Sequence, residues 1–384
     1  MSNCPVCHAP RPTDVVVIDR VPVLCNELHD SEASALNAVL GDLHVVFCTR
    51  CGHLFNAAFD PARIDYTTTY ENSLHHSPRF QAFADALADE LAERYALKDR
   101  TVVEIGCGQG DFLKLLCARG GCDGIGFDPS YIGPDVVSDR VRIARAAYAP
   151  AYADLDAAMV YCRHVLEHIP DPAGFIRSLH DTIAGRPDTV VYMEVPNTMA
   201  TLREDAIWDL IYEHCGYYTP ESIAYLFASN GFEVLRVTPR YAGQFLSIEA
   251  RPLPERKPAQ EPDTTGLARD VAAFADAYRA KIARWSDELR AVASAGRRAV
   301  IWGAGSKGNT FLNTVGRLAD IAYAIDINPR KLGKFITGTG QEIRPPEFLT
   351  TYKPDVVILM NAIYQEEVRQ TLATMNLTPQ LITA

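Results

Sequence analysis

Four of the ten cysteines form two Cys-x-x-Cys pairs, Cys4 with Cys7 and Cys48 with Cys51. Each pair can present two thiolates from one tight turn, and together they supply the four sulfur ligands of a tetrahedral zinc site. Gly52 follows the second pair and permits the positive φ that such a turn requires. Four thiolates leave no open coordination position, so we predict a structural zinc. Buried or redox-active cysteines are the alternative.

An acidic residue and three glycines stand where a short apolar strand gives way to a helical pattern. They are Glu104, Gly106, Gly108 and Gly110. The glycines let backbone amides and a helix N-terminus approach a bound ligand closely. Asp128 ends the next strand, where a carboxylate can bind both hydroxyls of a ribose. A phosphate-binding dinucleotide turn is the alternative, but its spacing is G-x-G-x-x-G rather than G-x-G-x-G.

These two elements resemble the first two motifs of the class I S-adenosylmethionine-dependent methyltransferases. Arg163–Pro172 resembles the fourth-strand motif of that family, and Glu194–Asn197 resembles the strand that follows. The resemblance implies a Rossmann-like α/β fold with S-adenosylmethionine as cofactor. It also implies that His164, Glu167 and His168 contribute to the cofactor site, beside the methionine part. Without the family, Glu167 and His168 are polar residues at a helix start, where a solvated cap is an equal alternative.

A second glycine turn lies in the C-terminal third of the chain. The sequence markers there are Trp302–Gly308, Asp326–Lys334 and Lys353–Asp355. Together with the preceding parts, they resemble the three-domain sugar C-methyltransferases of deoxysugar biosynthesis over nearly the whole chain. The resemblance implies a C-terminal domain that binds no redox cofactor and helps to enclose a nucleotide-linked sugar. The residues alone leave NAD binding open, because Gly303-x-Gly305-x-x-Gly308 followed by Asp326 is a fair NAD fingerprint.

Methyl transfer requires a protein group that aligns the acceptor and removes its proton. The richest source of bases is Trp208–Thr219. The sugar C-methyltransferases carry Tyr-His-Glu-His here; Glu213 and His214 match, whereas Ile211 and Tyr212 replace the tyrosine and the first histidine. We predict His214 as general base, Glu213 as its orienting group or an acceptor contact, and Tyr212 as a hydrogen-bonding partner. Methylation at carbon and at oxygen both stay open, and a structural cluster between domains is the alternative.

Six further polar residues are candidate acceptor contacts. Three lie in a connection that folds over the active site in relatives, and three lie near strand ends and the second glycine turn. They are Tyr66, Tyr70, Asn72, Asn197, Gln244 and Lys307. Lys307 would attract a phosphate at a helix start. Simple packing or solvation is the alternative at each position, since buried tyrosines usually pack with a satisfied hydroxyl.

The composition is typical of a globular enzyme, with 48% hydrophobic and 22% charged residues among 384. A formal charge of −11 disfavours nucleic acid as a partner. The apolar stretches are shorter than the roughly 20 residues that span a bilayer, and the N-terminus lacks the pattern of a secretory signal. We therefore expect a cytoplasmic protein that acts on a small molecule, and we leave its oligomeric state open.

Apolar strands alternate with helical patterns, which predicts an α/β fold with parallel sheets covered on both faces. We predict a zinc-binding domain at residues 1–65, a methyltransferase domain at 66–255 and a Rossmann-like domain at 256–384. The predicted function is transfer of a methyl group from S-adenosylmethionine to carbon or oxygen of a nucleotide-linked sugar or a similar polar metabolite. The rival functions are an NAD-dependent oxidoreductase that uses the Gly303 turn and a catalytically inactive, zinc-containing binding protein.

Overall fold

A computed structural model describes residues 3–65, 70–319 and 321–384. The strands there are β1 (Thr13–Pro22), β2 (Leu40–Phe47), β3 (Leu54–Asn56), β4 (Thr101–Ile105), β5 (Asp123–Phe127), β6 (Val141–Ala144), β7 (Ala157–Arg163), β8 (Val190–Pro196), β9 (Gly216–Tyr217), β10 (Phe232–Arg240), β11 (Phe245–Pro252), β12 (Ala299–Trp302), β13 (Ile321–Ile325), β14 (Glu342–Arg344), β15 (Val356–Leu359) and β16 (Gln380–Thr383). The α-helices are α1 (Glu32–Leu36), α2 (Pro78–Arg94), α3 (Asp111–Gly120), α4 (Pro172–Ile183), α5 (Thr198–Arg203), α6 (Pro220–Ser229), α7 (Thr265–Ser294), α8 (Ser306–Thr314), α9 (Leu349–Tyr352) and α10 (Gln365–Thr374).

The N-terminal part forms a four-stranded antiparallel sheet in the order β1-β2-β3-β9. Its last strand comes from far along the chain: Leu54 pairs with Tyr217, and Phe55 pairs with Gly216. This pairing anchors the segment that carries Glu213 to the N-terminal sheet, although the segment lies within the predicted methyltransferase domain.

The middle part is a seven-stranded sheet in the order β10-β11-β8-β7-β4-β5-β6. The five strands from β8 to β6 are parallel, whereas β11 and β10 are antiparallel. Strand β7 is buried at six of its seven residues because helices cover both faces of the sheet, which explains its continuous apolar run. The carboxyl ends of β4, β5, β7 and β8 lie at one edge and bring the predicted cofactor residues together.

The C-terminal part is a parallel sheet in the order β14-β13-β12-β15-β16. Helix α7 packs its apolar side into a core that contains residues of the N-terminal sheet, such as Leu43, and of the C-terminal sheet, such as Ile301. These findings confirm the predicted α/β fold. The boundaries after residues 65 and 255 stay predictions, although residues 256–264 contain neither helix nor strand. None of the described helices has the length and apolarity needed to cross a membrane.

Candidate active site

The four predicted cysteine ligands lie together, with their sulfur atoms within 4.8 Å of one another. The Sγ atoms of Cys4 and Cys51 are 3.6 Å apart, and those of Cys7 and Cys48 are 3.5 Å apart. Four thiolates about 2.3 Å from a central zinc would be separated by about 3.8 Å, so the cluster suits a tetrahedral ion. The amide of Gly52 donates to the carbonyl of Cys48 at 2.9 Å and closes the second turn, with φ at 78°.

The first glycine turn forms an open cradle beside Asp128. Gly106, Gly108 and Gly110 all have positive φ angles, which bend the chain from β4 into α3. The amide of Gly108 donates to Asp128 Oδ2 at 2.7 Å, and Ser130 donates to Oδ1 from both its amide and its hydroxyl. A Cβ on Gly108 would meet nothing within 4 Å, so space is available next to the carboxylate. This arrangement fits the adenosine part of S-adenosylmethionine.

Glu104 lies beneath this turn and is 4% exposed. The hydroxyl of Tyr161 donates to its Oε2 at 3.2 Å. Burial raises the pKa of Glu104 to about 8, although the nearby Arg163 opposes that shift. The side chain is therefore protonated in much of the free protein at neutral pH.

His164 follows β7 in a left-handed backbone conformation, with φ at 55°. Its imidazole lies 3.2 Å from a carboxylate oxygen of Glu194 and 3.6 Å from one of Glu167. Burial disfavours its charged form, but these carboxylates prevail and raise the pKa of His164 to about 9. Arg163 also donates two hydrogen bonds to Glu194, at 3.0 and 2.8 Å. The cationic His164 is therefore held by fixed carboxylates at the edge of the sheet.

Glu167 is 2% exposed, and its Oε2 has no hydrogen-bond partner among the described residues. An unpartnered carboxylate oxygen in a buried position is costly unless a ligand donates to it. The ammonium of the methionine part of S-adenosylmethionine has the right chemistry to do so. Glu167 and the glycine turn are therefore the residues that would hold the two ends of the cofactor.

His214 lies against His168, with ring centroids 4.9 Å apart and the rings nearly perpendicular. Ligand atoms of Glu167, His168 and His214 are all within 4.8 Å of one another. Burial and then the neighbouring His168 lower the pKa of His214 to about 3. His214 is thus a neutral imidazole at physiological pH, and a weaker base than an exposed histidine until a neighbouring negative charge stabilises its protonated form.

Glu213 is fully buried and receives three hydrogen bonds from two other parts of the chain. Its Oε1 accepts from the amide of Cys25 at 2.9 Å and from the thiol of Cys25 at 3.0 Å, and its Oε2 accepts from the hydroxyl of Tyr70 at 2.7 Å. Its backbone carbonyl lies 3.0 Å from His168 Nδ1. Glu213 therefore links the N-terminal part to the histidine pair. Cys25 was not among the predicted site residues.

Tyr212, a predicted catalytic residue, faces the hydrophobic core instead of the histidines. Its ring packs against Phe59, and its hydroxyl accepts a hydrogen bond from the amide of Asp60 at 2.9 Å. Its side chain is 1% exposed. This geometry gives Tyr212 a packing role, so we omit it from the proposed catalytic group.

Three predicted acceptor contacts are occupied by other protein groups. Asn197 caps α5 and donates to the carbonyl of Gly243 at 2.7 Å. Gln244 pairs with Asn361 through two amide hydrogen bonds of 3.0 and 2.9 Å, which join the middle and C-terminal parts. Lys307 forms an ion pair with Asp209 at 2.8 Å. Each of the three side chains is thus used in contacts within the protein.

The remaining acceptor candidates come from the connection before α2. Tyr70 contacts Glu213 and is thus part of the site. Asn72 is exposed, and Tyr66 lies outside the described residues.

The second glycine turn repeats the hydrogen bonds of the first. The amide of Ala304 donates to Asp326 Oδ2 at 2.9 Å, and the amide of Asn328 donates to Oδ1 at 2.8 Å. Lys331 Nζ donates to the carbonyl of Ala304 at 3.1 Å. The turn therefore has the form of a nucleotide-binding turn, with a lysine placed on it.

Comparisons with known proteins match both α/β parts. Residues 75–237 match a family model described as a methyltransferase domain, and residues 260–383 match one described as a C-methyltransferase C-terminal domain. The C-methyltransferase NovU of Streptomyces niveus is 28% identical over 396 aligned residues, which cover 96% of this chain and 91% of that protein. The ubiquinone biosynthesis O-methyltransferase of Pseudomonas paraeruginosa is 28% identical over 123 residues, covering 28% of this chain and 49% of that protein.

Solved structures of other proteins match a little under half of the chain. The riboflavin-derivative dimethyltransferase RosA of Streptomyces davawensis is 20% identical, with a TM-score of 0.35, and the match covers 45% of this chain and 54% of that one. The [4+2]-cyclase SpnF is 16% identical, with a TM-score of 0.36, and the match covers 48% of this chain and 86% of that one.

Proposed function

Because this protein is a class I S-adenosylmethionine-dependent methyltransferase of the C-methyltransferase family, we propose that it methylates a carbon next to a carbonyl group of a nucleotide-linked sugar. The observation that carries this proposal is the position of His214, whose ring lies with Glu167 and His168 at the cofactor edge of the sheet, with their ligand atoms within 4.8 Å of one another. The similarity to a C-methyltransferase over 96% of the chain supports carbon as the acceptor atom.

In this proposal His214 removes a proton from the acceptor carbon. The electron pair of the broken C–H bond is delocalised onto the neighbouring carbonyl and then forms the new carbon–carbon bond. S-adenosylmethionine, when bound, would supply the methyl group from its positively charged sulfur; the carbon–sulfur bond breaks, and its electron pair stays on the neutral thioether of S-adenosylhomocysteine. The imidazolium formed at His214 is stabilised by the nearby carboxylate of Glu167, whose own pKa is lowered by His164 despite the opposing effect of burial.

Glu213 fixes the geometry of this proton transfer. Its carboxylate is held by Cys25 and Tyr70, and its carbonyl oxygen lies 3.0 Å from a ring nitrogen of His168. Ile211 stands where the Tyr-His-Glu-His motif has its tyrosine. In this proposal the hydroxyl of Tyr70, which donates to Glu213, takes the place of that tyrosine hydroxyl. We further propose that the four-cysteine cluster holds a structural zinc, as its four sulfur atoms form a closed ligand set.

The test is transfer of isotopically labelled methyl to a panel of keto and non-keto nucleotide sugars, followed by mass spectrometry. We expect product only from keto sugars, with loss of one carbon-bound deuterium from an acceptor deuterated next to its carbonyl. Retention of that deuterium in a methylated product would assign the methyl group to oxygen or nitrogen. No product from any nucleotide sugar would exclude this acceptor class.

A second measurement isolates the base. With S-adenosylhomocysteine bound in place of the methyl donor, the wild-type protein should exchange the acidic hydrogen of the keto sugar with solvent deuterium, as followed by NMR. His214→Asn should abolish that exchange while it binds S-adenosylhomocysteine normally. Exchange by the variant at the wild-type rate would show that another group removes the proton.

A further inference from the structure

We infer that the second glycine turn is an anion site that binds the phosphate or diphosphate group of the acceptor, with Lys331 as its principal ligand. This inference rests on the proposed function, because it assigns the nucleotide end of the proposed acceptor. It differs from the prediction that Lys307 attracts the phosphate. The argument depends on Lys331, the start of α8 and Asn26.

Lys331 is a buried lysine that forms no ion pair with any described residue. The residue is 5% exposed. Its ammonium donates to one group among the described residues, the carbonyl of Ala304. No ion pair joins it to a carboxylate in the part of the chain that the structure describes. A buried ammonium is costly unless an anion pairs with it. The neighbouring cations differ: Lys307 is paired with Asp209, and Arg330 is paired with Glu71.

The start of α8 adds unpaired donors at the same place. Gly305 precedes this nine-residue helix, and no side chain caps it. The first amides of a helix lack intrahelical partners and attract anions, together with the helix dipole. Lys331 Nζ lies 3.9 Å from the position that a Cβ on Gly305 would take. The ammonium and the helix start therefore face one small region.

Asn26 of the N-terminal part closes this region. It is 8% exposed, and its Oδ1 lies 4.0 Å from the same Cβ position with no hydrogen-bond partner among the described residues. Rotation of the amide by half a turn would present its Nδ2 donor to an anion, in exchange for the long contacts that Nδ2 makes with Cys25 Sγ at 3.5 Å and with the Tyr70 hydroxyl at 3.4 Å. A buried amide oxygen without a partner beside a helix start is a second and independent sign of a missing ligand.

The position of this region favours the acceptor over a dinucleotide. The side-chain amide of Asn26 lies beside the hydroxyl of Tyr70, 3.4 Å away. That hydroxyl donates to Glu213, which in turn contacts His168. A continuous series of contacts thus joins the anion site to the proposed base.

The test uses the full-length protein with S-adenosylhomocysteine bound, and uridine diphosphate, thymidine diphosphate and inorganic pyrophosphate as probes in calorimetry. Lys331→Met should weaken nucleoside diphosphate binding about ten- to hundredfold, the value of a lost charge-assisted hydrogen bond. Lys307→Met and Lys334→Met, which remove other lysines near the turn, should each change it less than threefold. S-adenosylhomocysteine affinity should stay unchanged in all three variants.

A thermal scan separates binding from folding. Without ligand, Lys331→Met should melt at or above the wild-type temperature, because it removes a buried and unpaired charge. Lys331→Gln provides the same comparison if the methionine variant does not fold. Loss of thermal stability in both variants, or nucleoside diphosphate binding within threefold of wild type, would overturn the inference. So would the absence of probe binding to the wild-type protein.

Methyl transfer distinguishes this inference from the proposed function. If nucleoside diphosphates bind through Lys331 but no nucleotide sugar is methylated, the anion site stands and the acceptor class is wrong. If nucleotide sugars are methylated and Lys331→Met leaves their KM unchanged, the acceptor class stands and the anion site is wrong. If both proposals hold, Lys331→Met should raise KM with a much smaller effect on kcat.

Discussion

Replacement of His214 by asparagine tests both its burial and its role as a base. The ordinary pKa of histidine is 6.5, and burial with the neighbouring His168 lowers that of His214 to about 3. In the unfolded chain this residue is nearly all protonated at pH 5, whereas in the folded protein it is nearly all neutral. The folded state therefore loses stability as the pH falls below 6.5, and the loss levels off near pH 3.

The size of this effect follows from the two pKa values. At pH 5 the difference amounts to about 2 kcal/mol of unfolding free energy, since each pH unit below 6.5 contributes about 1.4 kcal/mol. For a domain of 150–250 residues this corresponds to about 4–8 °C in melting temperature. Between pH 7.5 and pH 5 we expect the melting temperature of the wild type to fall by that amount more than the melting temperature of His214→Asn. Other buried histidines cancel in the comparison.

Turnover supplies the second half of this test. A positioned general base contributes about 10²- to 10⁴-fold to the rate, so His214→Asn should lower kcat by that factor while it binds S-adenosylhomocysteine as the wild type does. Equal shifts of the two melting temperatures between pH 7.5 and 5 would refute the burial of His214. Turnover of the variant within threefold of the wild type would refute its role as base.

Three further variants test other parts of the site. Asp128→Asn should weaken S-adenosylhomocysteine binding at least tenfold by calorimetry, whereas Asp326→Asn, the matched change at the second turn, should not; equal effects would contradict the assignment of the cofactor to the first turn. Tyr212→Phe should lower the free energy of unfolding by about 1 kcal/mol, because the backbone amide of Asp60 loses its acceptor. It should leave kcat unchanged, and a large loss of kcat would restore Tyr212 to the catalytic group. Cys48→Ser should lower the zinc content below one ion per chain and should reduce kcat, while S-adenosylhomocysteine still binds. Cys162→Ala is the control variant, which should keep its zinc.

The elements that the sequence predicts best are those buried on both faces. Strands β4, β7, β12 and β15 are the easiest to predict from the sequence, because parallel strands covered by helices appear as continuous apolar runs. Strand β6 is not predictable in this way, since two of its four residues are not buried and its apolar pattern is too short to detect. The two residues of β9 carry no local signal at all, because only their pairing with β3 makes them a strand.

The candidate site shows the same division between local and tertiary information. Glu104, Gly108 and Asp128 form a motif of fixed spacing on adjacent strands, so the sequence alone places them together. Cys25 has no such signal, because it contacts Glu213 across 188 residues of chain. The burial of Lys331 is likewise not predictable, because its neighbours in the sequence are typical of an exposed loop and only the fold buries it.

Loss of zinc should reduce turnover because the cysteine turns support the segment that carries the base. The amide of Cys48 donates to the carbonyl of His53 at 2.9 Å, directly before β3. That strand ends at Asn56, whose amide donates to the carbonyl of Cys215 at 3.0 Å, one residue after His214. No thiolate of the cluster belongs to the glycine turn that would bind the cofactor, so the two effects are separable. If Cys48→Ser weakened S-adenosylhomocysteine binding as much as turnover, the zinc unit would support the whole fold rather than the base.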